Sequence, residues 1–146
     1  MSKVVMLDTG PLGMISHPRP AAAVVTWFAE LVAAGDEIVI PEIADYEVRR
    51  ELLRAGKQKG VERLDELKAS LTYVPITTAA MLEAAEFWAE ARRRGRPTAK
   101  DESLDADVIL AGQAATLRGS PVIVASTNPR HLARFVAAEH WQAIKP

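Results

Sequence analysis

The 146-residue sequence predicts an α/β sandwich, a parallel sheet covered by helices on both faces and folded as a single domain. Three observations carry this. Short, wholly apolar runs recur along the chain, as in strands buried on both sides. Between them lie longer stretches in which apolar residues follow helical spacing. The two kinds alternate, and alternation of this sort builds parallel sheets through right-handed crossovers.

Residues 3–7 (KVVML) read as a buried strand that ends at Asp8. The run Gly10-Pro11-Leu12-Gly13 reads as a turn. Residues 21–34 have helical spacing and stop at Gly35-Asp36. Residues 38–40 form a second strand, closed by Pro41, and residues 43–55 a helix ended by Gly56. Another helix, 61–70, carries Leu64 and Leu67 on one side. A third strand covers 73–76, and a long helix covers 79–94 and ends at Gly95. The last helix is expected at 104–117, stopped by Gly119 and Pro121, and a fourth strand at 122–125.

Composition narrows the class. With 49% hydrophobic and 25% charged residues the chain has the balance of a globular protein, not a disordered one. No apolar run approaches bilayer length, so no membrane association is expected. The opening MSKVVMLDTG is too short in its apolar part for a signal segment and is expected to be mature sequence. The absence of cysteine excludes disulfides, thiolate metal sites and a Cys nucleophile, and it fits a cytoplasmic protein. A net charge of −1 gives no general affinity for phosphate. Any nucleic-acid contact must come from a local basic patch, a metal ion or a partner subunit.

Open α/β folds place their sites at the carboxyl ends of the strands. Asp8 ends the first strand there, and Glu47 lies in the second turn of the helix after strand two. Asp105 and Asp107 are expected at the start of the 104–117 helix, and strand four runs into Ser126-Thr127-Asn128-Pro129. Four segments thus offer oxygen ligands to one edge. Carboxylates brought together repel and raise each other's pKa unless a cation neutralises them. Hard divalent ions such as Mg²⁺ or Mn²⁺ favour all-oxygen surroundings. Such an ion can activate water against a phosphodiester.

Each residue has a plainer role available. Asp8 fits a strand-end turn, and Glu47 a solvated helix face. Glu51 is placed to pair with Arg54 or Lys57. Asp105 or Asp107 fits a helix cap, although one cap cannot account for both. Asn128 before Pro129 is an ordinary turn signal. The coincidence of all of them carries the functional reading.

At these residues the sequence resembles the PIN-domain family, in particular the VapC-like toxins of prokaryotic toxin–antitoxin pairs. The strand into Asp8-Thr9 resembles the family's first acidic motif. Ile40-Pro41 with Tyr46-Glu47-Val48-Arg49-Arg50-Glu51-Leu52 resembles the second. Asp105-Ala106-Asp107-Val108-Ile109-Leu110-Ala111 resembles the third, and Val124-Ala125-Ser126-Thr127-Asn128 the fourth. The resemblance implies a three-layer α/β/α sandwich on a mostly parallel sheet of four to five strands. It also implies an endoribonuclease using Mg²⁺ or Mn²⁺, with Asp8, Glu47 and Asp107 holding the metal directly or through water. Asp105 is then a secondary ligand or electrostatic helper. Thr9 and Thr127 are expected to orient the acids. Asn128 stands where many relatives have Asp, which lowers the negative charge and favours one well-held metal over two. A homodimer, an RNA substrate and a cognate antitoxin protein are the implied partners.

Two basic stretches are ambiguous between solvated helix faces and phosphate-binding patches. One is Arg92-Arg93-Arg94 with Arg96 and Lys100; the other holds Arg49, Arg50, Arg54, Lys57 and Lys59. Trp27, Phe28, Phe87 and Trp88 are assigned to the core or a dimer face. His17, His131 and His140 lack metal-ligand spacing and are assigned to surface or turn positions. A haloacid-dehalogenase-type phosphatase needs a second Asp where Gly10 stands, and a receiver-type phosphoacceptor domain needs paired acids near strand one. A Rossmann nucleotide binder needs a Gly-rich loop that Gly10-Pro11-Leu12-Gly13 does not supply. The remaining rival is a catalytically weak PIN-like module that binds RNA or a protein partner.

Overall fold

A computed structural model describes residues 2–94 and 101–146, with side chains from Leu104 onward in the second stretch. The expected stop at Gly95 and the cations Arg96 and Lys100 lie outside the described residues. The elements are β1 (Val4–Leu7), α1 (Thr9–Ile15), α2 (Ala22–Ala33), β2 (Glu37–Pro41), α3 (Glu42–Arg54) and α4 (Gln58–Ser70). They continue with β3 (Thr72–Val74), α5 (Thr78–Arg93), α6 (Asp101–Thr116), β4 (Val122–Ser126) and β5 (Ala138–His140).

The five strands form one parallel sheet in the order β3-β2-β1-β4-β5, with Met6 opposite Val39 and Leu7 opposite Ala125. Alternation along β1 sends Val5 and Leu7 to one face and Val4 and Met6 to the other. The first face packs on α1 to α4 and on Trp141, through residues such as Leu12, Trp27, Val48 and Leu64. The second packs on α6 through Leu110 and Ala114. Helix α5 lies against α6 through Ala84, Ala91 and Val108. This is the expected three-layer sandwich. The chain winds outward from β1 to β3 and then returns to the other side of β1 as β4, so the winding reverses between β1 and β4.

Two expectations change, and the sheet has five strands, the larger of the numbers expected. The run expected as a turn at 10–13 is helix α1. Asp8 is its N-cap, with Oδ1 accepting the Thr9 N–H at 2.8 Å, and Pro11 falls in the first turn, where no intrahelical N–H bond is needed. Helix α6 begins at Asp101, so Asp105 and Asp107 lie inside it and neither is its cap. The short strand β5 extends the sheet beyond β4.

Close approach holds the layers together. A Cβ on Gly112 would run into the Ala80 carbonyl of α5. Gln113, 1% exposed, accepts the Ile43 N–H at 3.2 Å and donates to the Val74 carbonyl at 2.7 Å. It thereby satisfies an orphan donor at the start of α3 and ties α6 to β3. Trp27 donates through Nε1 to the Ile144 carbonyl at 3.0 Å and meets Trp141 edge-on, a core role as expected. Phe87 packs against Phe135, whereas Trp88 remains exposed beneath Arg92. His17 and His140 accept backbone N–H groups two residues ahead, the turn role assigned to them. Among the described residues, no helix is long and apolar enough to cross a membrane.

Candidate active site

The site lies where the winding reverses, the crevice in which open α/β sheets bind ligands. Asp8 leaves β1 there with its N–H bonded to the Ala125 carbonyl of β4 at 3.0 Å. Its Oδ2 accepts the Ser126 hydroxyl at 2.7 Å, so both carboxylate oxygens are engaged. Burial raises the Asp8 pKa; the Ser126 hydroxyl and the Thr9 N–H, which favour the charged form, oppose that rise. Ser126 also accepts the Asn128 N–H at 3.0 Å, which shapes the turn after β4.

Glu47 reaches the same edge from α3. The Thr9 hydroxyl donates to its Oε1 at 2.7 Å, and Arg50 stands 3.6 Å from its Oε2. The third acid is Asp107. It lies in the first half of α6, six residues before Gln113, which meets the carboxyl ends of β2 and β3. Burial, then the Asp8 and Glu47 charges, push Asp107 up to about 6, with Arg134 pulling the other way. The three acids therefore share one electrostatic field. Arg134 is held by a bond from Nε to the His131 carbonyl at 3.2 Å and lies over the Phe135 ring. Its buried Nη2 has no hydrogen-bond partner among the described residues.

Asp105 is elsewhere. Two positions apart on a helix, it and Asp107 face different ways. Asp105 is exposed and lines a shallow pocket against α5 with Met81, Ala85 and Trp88. The Thr127 side chain packs over Gly10, filling the space a Cβ there would need, while Thr127 and Asn128 are both exposed. Within the segment expected to offer oxygen ligands after strand four, the group that engages Asp8 is the Ser126 hydroxyl, and not Thr127 or Asn128, which the sequence singles out. The signal for Ser126 was a polar residue closing an otherwise apolar strand beside the acid-bearing one.

The donor set is all oxygen and anionic, which suits a hard divalent ion. Among the described residues, no three acids or histidines stand close enough to enclose one ion between them. The hydroxyls of Thr9 and Ser126 already occupy oxygens of Glu47 and Asp8. The arrangement fits a cation that keeps several waters and takes one or two carboxylates directly. It does not fit chelation by all three acids at once.

Fold and site define an α/β domain with an acidic carboxyl edge at its reversal of winding. The PIN domain model matches residues 5–135, and the chain belongs to the PIN-domain family. No curated protein matches the sequence. Among solved structures, a chain of Rickettsia felis VapBC2, bound to a promoter DNA fragment, superposes with a TM-score of 0.72 at 16% identity, covering 94% of this chain and 98% of that one. VapBC-1 from nontypeable Haemophilus influenzae gives 0.71 at 18% identity, over 95% and 98%. DNA-bound VapBC from Salmonella typhimurium gives 0.68 at 24% identity, over 97% and 99%.

Proposed function

We propose that the protein is a Mg²⁺- or Mn²⁺-dependent endoribonuclease that hydrolyses RNA phosphodiester bonds with water. The observation that carries this is that Thr9 bonds both Asp8, through its N–H, and Glu47, through its hydroxyl, at the carboxyl edge where the winding reverses. The upward push on Asp107, by burial and then by the Asp8 and Glu47 charges, supports it as the third acid. A divalent ion held there would supply charge neutralisation and Lewis acidity towards water and phosphate. The chain's own groups prepare the place. Ser126 and the Thr9 N–H fix the Asp8 carboxylate, and the Thr9 hydroxyl fixes Glu47. Asp107 in its deprotonated form would be a further ligand for such an ion, directly or through water, and Arg134 moderates the negative charge.

Membership of the PIN-domain family supports a nuclease. The VapBC assemblies among the structural neighbours support a cytoplasmic toxin role with a cognate antitoxin. The exposed apolar residues Met81, Leu82 and Trp88 along α5 support a homodimer. The absence of a tight three-acid cluster among the described residues favours the second reading, a weakly catalytic module that binds RNA or protein. The test incubates purified protein with single-stranded and structured RNAs in Mg²⁺ or Mn²⁺. Cleavage is expected, and is expected to be lost in Asp8→Asn and in Asp107→Asn. Intact RNA together with no calorimetric binding of either ion would leave only the binding module.

A further inference from the structure

The acidic site accounts for the carboxyl edge, but not for a basic cleft at the far end of α1. This cleft, of about 740 Å³, lies between the α1–α2 connection and the α3–α4 turn, and Gly13, His17, Arg19, Lys57, Lys59 and Gly60 help to line it. No carboxylate lines it. Among the described residues, no salt bridge involves Arg19, Lys57 or Lys59.

The cations just before them behave differently. Arg49 is bound to Asp45 and Asp65, Arg50 stands beside Glu47, and Arg54 is bound to Glu51. Three of the five cations of that stretch are therefore paired within α3 and α4, and the other two, Lys57 and Lys59, gather with Arg19 around one concave surface. In a chain of net charge −1, such an uncompensated cluster is a local feature and not an overflow of general basicity.

The cleft also connects to the acids. A shallower groove lined by Gly10, Gly13, Met14, His17 and Arg19 runs beside α1, whose N-cap is Asp8. Apart from its chain neighbours and the backbone of α1 itself, no atom lies within 4 Å of where a Cβ on Gly13 would stand, so the groove is open at that point. Helix α1 has seven residues, which at its rise places the cleft roughly 10 Å from the acidic edge.

We propose that this cleft binds the phosphate backbone of the substrate RNA strand, a short distance along the strand from the bond at the acidic edge. The proposal rests on the ribonuclease reading for the identity of its ligand. A single strand that follows the groove along α1 meets successive phosphates with Arg19, Lys57 and Lys59, while its cleavage point stays at Asp8. The contacts are to backbone, so they hold and orient the strand without selecting bases.

The test is fluorescence anisotropy of a labelled single-stranded 12-mer oligoribonucleotide in EDTA, where metal-dependent cleavage cannot occur. The wild type is compared with Arg19→Gln/Lys57→Gln/Lys59→Gln and with Arg118→Gln, which removes an exposed charge in the connection between α6 and β4, outside the cleft lining. The triple variant is expected to bind at least about tenfold more weakly at low salt. Its plot of log affinity against log salt is expected to flatten by about 2, at roughly 0.7 per lost phosphate contact. Arg118→Gln is expected to match the wild type. Equal affinities and slopes in wild type and triple variant would overturn the proposal, as would an equal loss in Arg118→Gln. Loss of affinity for an acidic peptide with RNA binding retained would overturn it in favour of a protein partner. If the triple variant loses RNA binding while the wild type cleaves no RNA in Mg²⁺ or Mn²⁺, the ribonuclease reading fails and the cleft's assignment stands.

Discussion

The Ser126 hydroxyl donates to Asp8 Oδ2 at 2.7 Å, joining the ends of β4 and β1 at the point where the winding of the sheet reverses. It does two things at once. It favours the charged form of a carboxylate that burial pushes towards neutrality, and it accepts the Asn128 N–H that shapes the turn beyond β4.

Ser126→Ala removes the donor and also leaves the Asn128 N–H without that acceptor. Orienting hydrogen bonds of this kind are worth about 10–100-fold in metal affinity or activity. The expected outcome is a fall of that size in RNA cleavage, with weaker Mn²⁺ binding by calorimetry. The lost backbone bond is expected to lower stability by about 1–2 kcal/mol in urea denaturation. Full activity in Ser126→Ala would show that Asp8 needs no such support.

Asp107 predicts a pH-dependent trade between stability and activity. Its folded-state pKa, raised to about 6 by burial and by Asp8 and Glu47, lies above the ordinary value of 3.8. Between those values the native state keeps a proton that the unfolded chain releases. Stability from this residue is therefore full below about pH 4 and is lost as pH rises through about 6. Asp107→Asn removes the unfavourable charge. In metal-free protein it is expected to raise the Tm at pH 7.5, with the gain shrinking to nothing near pH 3.5, while cleavage is abolished. Added Mg²⁺ or Mn²⁺ is expected to raise the Tm of the wild type at pH 7.5 more than that of Asp107→Asn.

The resemblance to the family favours Asp107 as the third acid and leaves Asp105 a secondary ligand or helper, but a helix start at residue 104 puts both near a terminus. With α6 beginning at Asp101, the two face different ways. Asp105→Asn is expected to stay within about threefold of wild-type cleavage, as surface substitutions away from a site usually do little. Equal losses in Asp105→Asn and Asp107→Asn under the same assay would return Asp105 to the site.

What could be read from the chain follows the strength of local physics. Four strands were legible because Val4–Leu7, the run through Ile38–Ile40 and their counterparts are apolar on both faces, and Asp8 and Glu47 followed from where such strands end. Helix α1 was not legible, since Gly10, Pro11 and Gly13 resemble a turn unless one knows that Asp8 caps them. Strand β5 has three residues, Ala138, Glu139 and His140, too few for any period to register. Ser126 was not singled out from its segment because its partner is 118 positions away, and only the pairing of β1 with β4 brings them together.

The last prediction concerns how α6 is seated, since Asp107 depends on it. Gln113 is buried and holds two backbone groups, the Ile43 N–H at the start of α3 and the Val74 carbonyl at the end of β3. Gln113→Met keeps much of the volume but leaves both groups unpaired in the interior, at about 1–3 kcal/mol each. A loss of about 3 kcal/mol is expected, seen as a Tm lower by roughly 6–12 °C at 2–4 °C per kcal/mol for a domain near this size. The groups of the acidic edge are untouched, so cleavage measured well below the new Tm is expected to persist. Gly112→Ala is expected to be worse on both counts. Its methyl meets the Ala80 carbonyl, which is backbone and cannot swing aside, so α6 must move relative to α5 and take Asp107 with it. A Gly112→Ala protein with wild-type Tm and cleavage would mean that the α5–α6 contact has slack, and that the position of Asp107 is set by the sheet alone.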